Sequence, residues 1–437
     1  MHGSIKFLES STPSIALAAS VLVLALDLGA SPARAESPQT WDQFRGHNSS
    51  GYVADGTLPA SWTQDSYTWR RNLGGRDVGS MAIIDGKVFY LASRADENKI
   101  AVESVELATG KQRWSKLYSQ LPHHLHKRNT FASGTPAVDA THVFVAWSDP
   151  KSTLLKCFDH DGNEIWSRDF GSWQSQHGFG TSPRIVGSMV LLFNSQQAEQ
   201  LKPGQSAGES RFIAVDRKTG ETVWETPLST TRSCYGVPAV YEPESGATQF
   251  VDANTGNGMF GLDAKTGKML WNLEVFDKRC CSTPQIIGDL AIASCGSGGG
   301  GNVLVAVRIP TKAGEKPREV YRIDKSAPYV PTPVLKGDRM YLISDSGIAS
   351  CVNAVTGDTI WTQRIGGNFG ASPILVGDTL LLISLDGKAT LVHAGDKFKQ
   401  IGEVDLGGPV GATPAFADGR LLLRIGNELV CLGGKAI

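Results

Sequence analysis

The chain alternates short apolar runs with short polar connections. Runs such as Arg339-Met340-Tyr341-Leu342-Ile343 are typical of half-buried strands, and the Asp-Gly and Thr-Gly pairs between such runs indicate hairpin turns. No stretch longer than about ten residues has the spacing of apolar positions that an amphipathic helix requires. The pattern therefore predicts an all-β protein.

This strand pattern recurs at a spacing of about 40 to 50 residues, which is the sequence signature of propeller blades. Each unit opens with a Ser/Thr-x-Pro-like step and an apolar strand, passes a Gly/Asp turn into a second strand, and closes with Asp-x-x-Thr-Gly-x-x-x-Trp. The openings fall at Pro136, Pro183, Pro238, Pro284, Pro333, Pro373 and Pro414, with Ala82 in place of proline in the first unit. The eight units predict an eight-bladed β-propeller with four-stranded blades.

Tryptophans close most of these units. We interpret their rings as docking groups between blades, because a large flat ring covers a neighbouring backbone while its N–H keeps a hydrogen-bond acceptor. Unit five has Tyr321 at this position and unit seven has Ile401, whereas the last unit stops before any closing strand. One tryptophan precedes the first opening, so we expect the N-terminal strand to close the last blade. The docking residues are Trp69, Trp114, Trp166, Trp224, Trp271 and Trp361.

The closing motif resembles the tryptophan-docking motif of the PQQ-repeat propellers, Ala-x-Asp-x-x-Thr-Gly-x-x-x-Trp. The stretch from Ala214 to Trp224 matches it in full, and the stretch from Gly261 to Trp271 departs at one position. Residues 41–46 are similar to the lead-in that precedes many such propellers, and because Trp41 lies outside the repeats we expect it to matter less for stability. The resemblance implies either a PQQ- and calcium-dependent alcohol dehydrogenase or a BamB-type scaffold that binds assembly partners without a cofactor.

Several features count against the dehydrogenase. The chain has no Cys-x-x-Cys-His site for a fused cytochrome, and the calcium-binding Glu, Asn and Asp of the enzymes cannot be placed on matching positions. Cys280-Cys281 resembles the vicinal cysteine pair of the enzymes and would form a vicinal disulfide, but its context directly before Ser282 does not match their motif well. The scaffold is also matched imperfectly, since no lipid-anchoring cysteine follows the apolar N-terminal run.

The candidate binding site comes from the connections between blades, which gather at one end of a propeller above its central funnel. Connections that enter units one to five carry Arg, Lys and His, whereas those that enter units six to eight are nearly uncharged. We expect a basic, histidine-rich side of the funnel mouth in which arginines bind an anionic or hydroxyl-rich ligand and histidines act as switchable donors. The candidate ligand-binding residues are Arg76, His124, His126, Arg128, His177, Arg232, Tyr235 and Arg279.

Two other motifs at the funnel mouth are weak candidates for a metal site and a nucleotide site. The histidines at 123, 124, 126 and 177 would bind a metal only if all reached one point, and adjacent residues of an extended segment face opposite ways. The glycine-rich run from Cys295 to Asn302 lacks the Gly-Lys-Ser/Thr ending of a phosphate loop and leads into a strand, so we interpret it as a hairpin loop. We therefore predict neither a metal site nor a nucleotide site.

The N-terminal residues have the pattern of an export signal. Lys6 precedes an apolar run from Ile15 to Leu28 that ends at Ala33-Arg34-Ala35, which predicts cleavage before Glu36. The chain then divides into a signal peptide at 1–35, an N-terminal extension at 36–66 and a propeller at 67–437. Because the seven cysteines are an odd number, they are not a complete disulfide framework, but Cys234, Cys280, Cys281 and Cys295 lie in Gly/Ser-rich connections where they could pair or react.

The net charge of −1 supplies no field that would attract nucleic acid. Taken together, these features predict an exported, periplasmic or secreted monomer that acts as a non-catalytic binding or scaffold protein. Its partner would be another protein or an anionic or hydroxyl-rich ligand, and no cofactor is expected. The alternative is a quinoprotein alcohol dehydrogenase with PQQ and calcium as cofactors.

Overall fold

The computed structural model describes residues 40–312 and 314–434, so the predicted signal peptide and its cleavage site lie outside the described residues. Short 3-10 helices occur at His47–Ser49, Gln64–Ser66 and Ala95–Glu97, and the other regular elements in these ranges are strands. Within these ranges no helix is long and apolar enough to cross a membrane.

Eight sheets follow one another along the described chain, as the repeat predicts. The strands are β1 (Tyr52–Val53), β2 (Tyr67–Asn72), β3 (Ala82–Ile84), β4 (Lys87–Arg94), β5 (Lys99–Glu106), β6 (Gln112–Ser119), β7 (Ala137–Val138), β8 (His142–Ser148), β9 (Thr153–Asp159), β10 (Glu164–Asp169), β11 (Arg184–Val186), β12 (Met189–Asn194), β13 (Ser210–Asp216), β14 (Thr222–Leu228), β15 (Ala239–Tyr241), β16 (Gln249–Asn254), β17 (Gly258–Asp263), β18 (Met269–Leu273), β19 (Gln285–Ile287), β20 (Leu290–Cys295), β21 (Val303–Arg308), β22 (Arg318–Ile323), β23 (Val334–Lys336), β24 (Arg339–Ile343), β25 (Ile348–Asn353), β26 (Thr359–Arg364), β27 (Ile374–Val376), β28 (Thr379–Ile383), β29 (Lys388–His393), β30 (Gln400–Asp405), β31 (Ala415–Ala417), β32 (Arg420–Ile425) and β33 (Glu428–Gly433).

Strands β3 to β30 form blades 1 to 7 in consecutive antiparallel groups of four, from β3–β6 to β27–β30, and β1 adds a fifth strand to blade 7 by pairing parallel with β27. Blade 8 consists of β31, β32 and β33 together with β2, which pairs antiparallel with β33 and places Trp69 opposite Cys431. The prediction that the N-terminal strand closes the last blade is therefore confirmed. This closure joins the two ends of the described propeller and covers the free edge that β33 would otherwise expose.

The first strand of each blade lies innermost, where it contacts the first strand of a neighbour, as β3 does with β7 and β31. A circle of hydroxyl groups connects the residues that precede these strands. The backbone N–H of Ser80 donates to Thr135 Oγ1 at 3.1 Å, and that of Thr135 donates to Ser182 Oγ at 2.9 Å. The same bond recurs from Val237 to Thr283, from Thr283 to Thr332, from Thr332 to Ser372 and from Ser372 to Thr413.

This circle corrects the alignment of the first unit. Ser80 occupies the place of Thr135, so Met81, and not Ala82, stands where the other units have proline. Ala82 is instead the first residue of β3, as Ala137 is of β7. Because the first unit has no proline to mark this position, the sequence pattern alone places the opening of the unit one residue too far along the chain.

The tryptophans dock between blades with a common geometry. The rings of four of them lie on the glycine of the Thr-Gly or Asp-Gly turn in the next blade, where a Cβ atom would come within 3.0 Å of the ring. These glycines have φ between 69° and 84°, so they are required both for the turn and for the ring above it. The glycines are Gly110 under Trp69, Gly162 under Trp114, Gly220 under Trp166 and Gly267 under Trp224.

The indole N–H completes each docking contact by donating to a backbone carbonyl of the next blade, for example from Trp69 to Leu107 and from Trp114 to His160, both at 2.9 Å. Trp271 differs, because unit five lacks the Thr-Gly turn, and its N–H donates within its own blade to Gln249 at 2.7 Å. Tyr321 replaces the tryptophan of blade 5 with the same geometry: its hydroxyl donates to the carbonyl of Ala354 at 2.7 Å.

The lead-in segment crosses the central channel and belongs to the core. Trp41 forms a backbone bridge with Ile83 of blade 1 and is only 1% exposed. Arg45 is fully buried, and its guanidinium donates to the carbonyls of Thr332 and Pro373, at 2.9 and 3.0 Å, in the connections that enter blades 6 and 7. Trp41 lies outside the repeats, as the sequence indicates, but its burial speaks against the expectation that it matters less for stability, which stays a prediction.

Candidate functional site

A cavity of about 840 Å³ opens at the end of the channel where the connections between blades gather. Phe44 of the lead-in segment lines it, together with hydroxyl-bearing residues of the inner circle such as Thr135 and Ser182. Of the eight residues predicted to bind a ligand, the structure brings six to this cavity: Arg76, His126, Arg128, His177, Tyr235 and Arg279.

The other two predicted residues, His124 and Arg232, do not line the cavity. His124 is exposed and precedes the point where the chain is fixed, since the amide of His126 donates to the carbonyl of His177 at 3.2 Å. Arg232 is held through its backbone, because its amide donates to Thr255 Oγ1 at 3.1 Å. The sequence shows only which connection a residue lies in, so it could not distinguish these two residues from the neighbours that line the cavity.

One side of the cavity, called the basic wall below, carries Arg76, Lys127, Arg128 and Arg279. The connections that form this wall hydrogen-bond to one another. Ser175 lies in the connection that enters blade 3, residues 170–183, and Tyr235 lies in the connection that enters blade 4. The Oγ atom of Ser175 is 3.2 Å from the hydroxyl of Tyr235. The amide of Tyr235 in turn donates to the carbonyl of Cys280 at 2.9 Å, in the connection that enters blade 5. Tyr235 is therefore positioned by the connections of three blades, which preorganises this part of the wall.

The positive charges of this wall form no ion pairs within the described chain, although the charge of Arg128 reaches the carboxyl of Asp345 across the cavity. Among the described residues, no carboxylate lies within ion-pair distance of Arg76, Lys127, Arg128 or Arg279. Arg279 is only 6% exposed; one Nη donates to Gln176 Oε1 at 2.9 Å, while its buried Nε has no partner. A buried guanidinium without a counter-charge is costly, so this arrangement favours the entry of an anion.

The two histidines of the wall do not add to its charge at neutral pH. Burial, followed by the positive charge of Arg279, lowers the pKa of His177 to about 4. Burial and the nearby Arg128 and Lys127 likewise lower the pKa of His126. Their rings lie 4.6 Å apart between centroids. Both imidazoles are therefore neutral hydrogen-bonding groups, and the expected role as donors that switch near pH 7 does not fit their surroundings.

Sequence reasoning missed the acidic residues of the opposite wall, Asp324 and Asp345. One oxygen of Asp345 accepts the backbone N–H of Tyr329 at 2.6 Å, whereas the other is buried without a partner, and burial raises the pKa of this carboxyl. Asp345 lies in the hairpin loop of blade 6, where the sequence Asp-Ser-Gly indicates only a turn. The loop from Ser297 to Asn302 lines the cavity too, as its interpretation as a hairpin loop predicts.

The cavity does not fit the calcium and PQQ pair of the dehydrogenases. Calcium takes six to eight oxygen ligands, usually with several carboxylates. Only Asp324 and Asp345 supply carboxylates here, and no group of three or more metal-ligating side chains was found in the described chain. All seven cysteines are free thiols; Cys281 lines the cavity, whereas Cys280 is fully buried. No reaction step is therefore derived through these cofactors.

The chain matches the family model described as outer membrane protein assembly factor BamB over residues 98–313 and 322–400, which is more than half of its length. It belongs to this family. A search of curated protein sequences finds no match. The family membership agrees with the PQQ-repeat motif of the closing strands.

Solved structures show the same fold in both branches of these propellers. BamB from Moraxella catarrhalis is 16% identical with a TM-score of 0.58, over 85% of this chain and 98% of that one. A europium-containing methanol dehydrogenase is 12% identical with a TM-score of 0.62, over 89% and 90%. Quinohemoprotein alcohol dehydrogenase from Comamonas testosteroni is 15% identical with a TM-score of 0.60, over 91% and 81%. At these identities the likeness establishes the fold and does not decide between scaffold and enzyme.

Proposed function

We propose that this BamB-family propeller is an exported, non-catalytic binding protein whose ligand is an anion held in the funnel cavity. The ligand carries carboxylate or phosphate groups, either as a small molecule or as the acidic side chains of a protein partner that reach into the funnel. Export follows from the predicted signal peptide, and a monomer is sufficient because one chain supplies every residue of the cavity.

The observation that carries this proposal is the set of unpaired cations around one concave site. Arg76, Lys127, Arg128 and Arg279 converge on a cavity whose walls restrict solvent, and charges in such a site act more strongly than on an open face. Arginine binds carboxylate and phosphate through two parallel hydrogen bonds, which gives orientation as well as affinity. The volume of about 840 Å³ is within the range of small-molecule sites.

The proposal is tested by titration calorimetry with citrate and tripolyphosphate as anionic probes and glucose as a neutral probe. We expect the anions to bind and glucose not to bind, and we expect Arg128→Gln combined with Arg279→Gln to weaken anion binding by about 10-fold or more. The matched control is Arg364→Gln, which removes an exposed arginine of β26 that does not line the cavity. Equal effects of the paired and the control variants would overturn the proposal.

The same purified protein can be used to test the dehydrogenase alternative. Protein incubated with PQQ and calcium should show no calcium-dependent quinone absorbance and no dye-coupled oxidation of alcohols. PQQ carries three carboxylates, so simple anion binding of PQQ without calcium agrees with the proposal. Calcium-dependent alcohol oxidation would instead replace the binding function with an enzymatic one.

A further inference from the structure

Two cysteines meet in the wall of the cavity, although they are 46 residues apart in the sequence. Cys234 lies in the connection that enters blade 4, and Cys280 lies in the connection that enters blade 5. Both are fully buried. The Sγ atom of Cys234 accepts the backbone N–H of Cys280 at 3.3 Å. Each thiol donates to a carbonyl of its own connection, Cys234 to Arg232 at 3.5 Å and Cys280 to Lys278 at 3.8 Å. The sulfur of Cys234 therefore already lies against Cys280 in the folded chain.

The adjacent Cys281 faces the other way. It lines the cavity together with Tyr329, whose hydroxyl acts against the burial that raises the pKa of this thiol. Neighbouring residues of an extended chain point to opposite sides, so the side chain of Cys280 packs behind the wall while that of Cys281 faces the ligand. A vicinal bond between Cys280 and Cys281 would require one of them to leave its contacts. The packing thus favours a bond from Cys280 to Cys234.

We propose that Cys234 and Cys280 form a disulfide that joins the connections entering blades 4 and 5. The bond cross-links the segments that carry Tyr235 and Arg279, which follow and precede the two cysteines directly in the sequence. It would be compatible with the oxidising compartment to which an exported protein is delivered. Its effect is to fix the part of the wall that presents a buried guanidinium to the cavity.

The chemistry requires a disulfide donor, such as oxidised glutathione or the disulfide of a thiol oxidoreductase. The thiolate of Cys234 attacks one sulfur of the donor and releases one donor thiol, which leaves a mixed disulfide. The thiolate of Cys280 then attacks the Cys234 sulfur and releases the second donor thiol. Two protein thiols are oxidised and one donor disulfide is reduced to two thiols. Because both sulfurs are buried, the exchange takes place during folding, before the connections have packed.

The test is a non-reducing peptide map of the full chain refolded with glutathione buffer and blocked with N-ethylmaleimide. We expect five free thiols out of seven cysteines and one cross-linked peptide pair that contains Cys234. The pair should persist in Cys281→Ser and disappear in Cys280→Ser, and Cys351→Ser is the matched control in which it also persists. Seven free thiols, a bond between Cys280 and Cys281, or a bond to Cys295 would each overturn the proposal.

A second readout does not depend on mapping. A closed loop of 46 residues should raise the melting temperature of the oxidised protein over the reduced protein by about 5 °C. This difference should vanish in Cys234→Ser. The effect on ligand rests on the proposed function: oxidised protein should bind tripolyphosphate about 3-fold more tightly than reduced protein. If neither form binds the probe, the proposed function fails, while the peptide map still decides the disulfide.

Discussion

The docking of tryptophan on glycine makes one substitution unusually informative, Gly267→Ala. Gly267 lies in the Thr-Gly turn of blade 4 beneath the ring of Trp224 from blade 3. A Cβ atom added there would lie 2.6 Å from Trp224 Cδ2 and 2.7 Å from Thr226 Oγ1, and the backbone has φ +72°. The added methyl group therefore meets two separate penalties, one from the backbone and one from the ring.

The two penalties have different sizes. Placing a residue with a Cβ in the left-handed region costs about 1–2 kcal/mol. Carbon atoms pack at about 3.5–4.0 Å, so the ring must move by roughly 1 Å or leave its site. Losing a buried tryptophan costs about 3–5 kcal/mol. We expect Gly267→Ala to lower the free energy of unfolding by about 4–7 kcal/mol in total if the ring leaves its site.

The matched control is Gly187→Ala. Gly187 also has a positive φ, +57°, but no atom lies within 4 Å of its added Cβ. This variant should lose only about 1–2 kcal/mol. Urea unfolding followed by tryptophan fluorescence and by circular dichroism measures both changes on the same scale.

The cycle with Trp224→Ala isolates the contact itself. Once the ring is absent, the added methyl group has space, so the double variant should lose less stability than the sum of the two single variants by about 3–5 kcal/mol. Two results would refute the docking interpretation: equal losses in Gly267→Ala and Gly187→Ala, or strict additivity in the cycle. Either would mean that the tryptophan does not rest on the glycine in solution.

Three further predictions concern closure, the channel and acid stability. Deleting residues up to Leu73 removes β2 together with the lead-in segment, so the shortened protein should melt at a lower temperature and, because the edge of β33 is exposed, self-associate in size-exclusion chromatography; an unchanged monomer would contradict the closure. Arg45→Met leaves several buried carbonyls without donors and should lower the free energy of unfolding, measured in urea, by about 3 kcal/mol or more. An unchanged free energy would contradict the packing of the lead-in segment in the core. His177 resists protonation only in the folded state, so the unfolded chain binds its proton first and stability should fall as the pH drops from 6.5 to about 4. His177→Gln should reduce this loss, and an unchanged pH profile measured by thermal unfolding would speak against a buried neutral imidazole.

The fold could be predicted from sequence because its signals are local and repeated. A Gly turn followed by tryptophan marks the outer part of most blades, and a single unmatched Trp69 was enough to indicate the closing strand. The lead-in segment could not be predicted in this way. Arg45 binds carbonyls 287 to 328 residues away, and no local pattern records contacts at that separation.

The candidate site was predictable only in outline. Runs of Arg and His in successive connections placed positive charge on one arc of the funnel, and most of those residues do line the cavity. Which side chains turn inward depends on the backbone bonds of each connection, as the positions of His124 and Arg232 show. Asp345 was missed because an aspartate in a hairpin has an ordinary structural explanation, and its approach to the funnel follows only from the arrangement of the blades.

The measurement that tests the central claim most directly is a crystal structure of the protein with tripolyphosphate, compared with the same crystals without it. The account predicts ordered density for the anion inside the cavity, in contact with the guanidinium groups of Arg128 and Arg279. Density for the anion only on the outer surface, or an empty cavity at a concentration that saturates binding in solution, would contradict it.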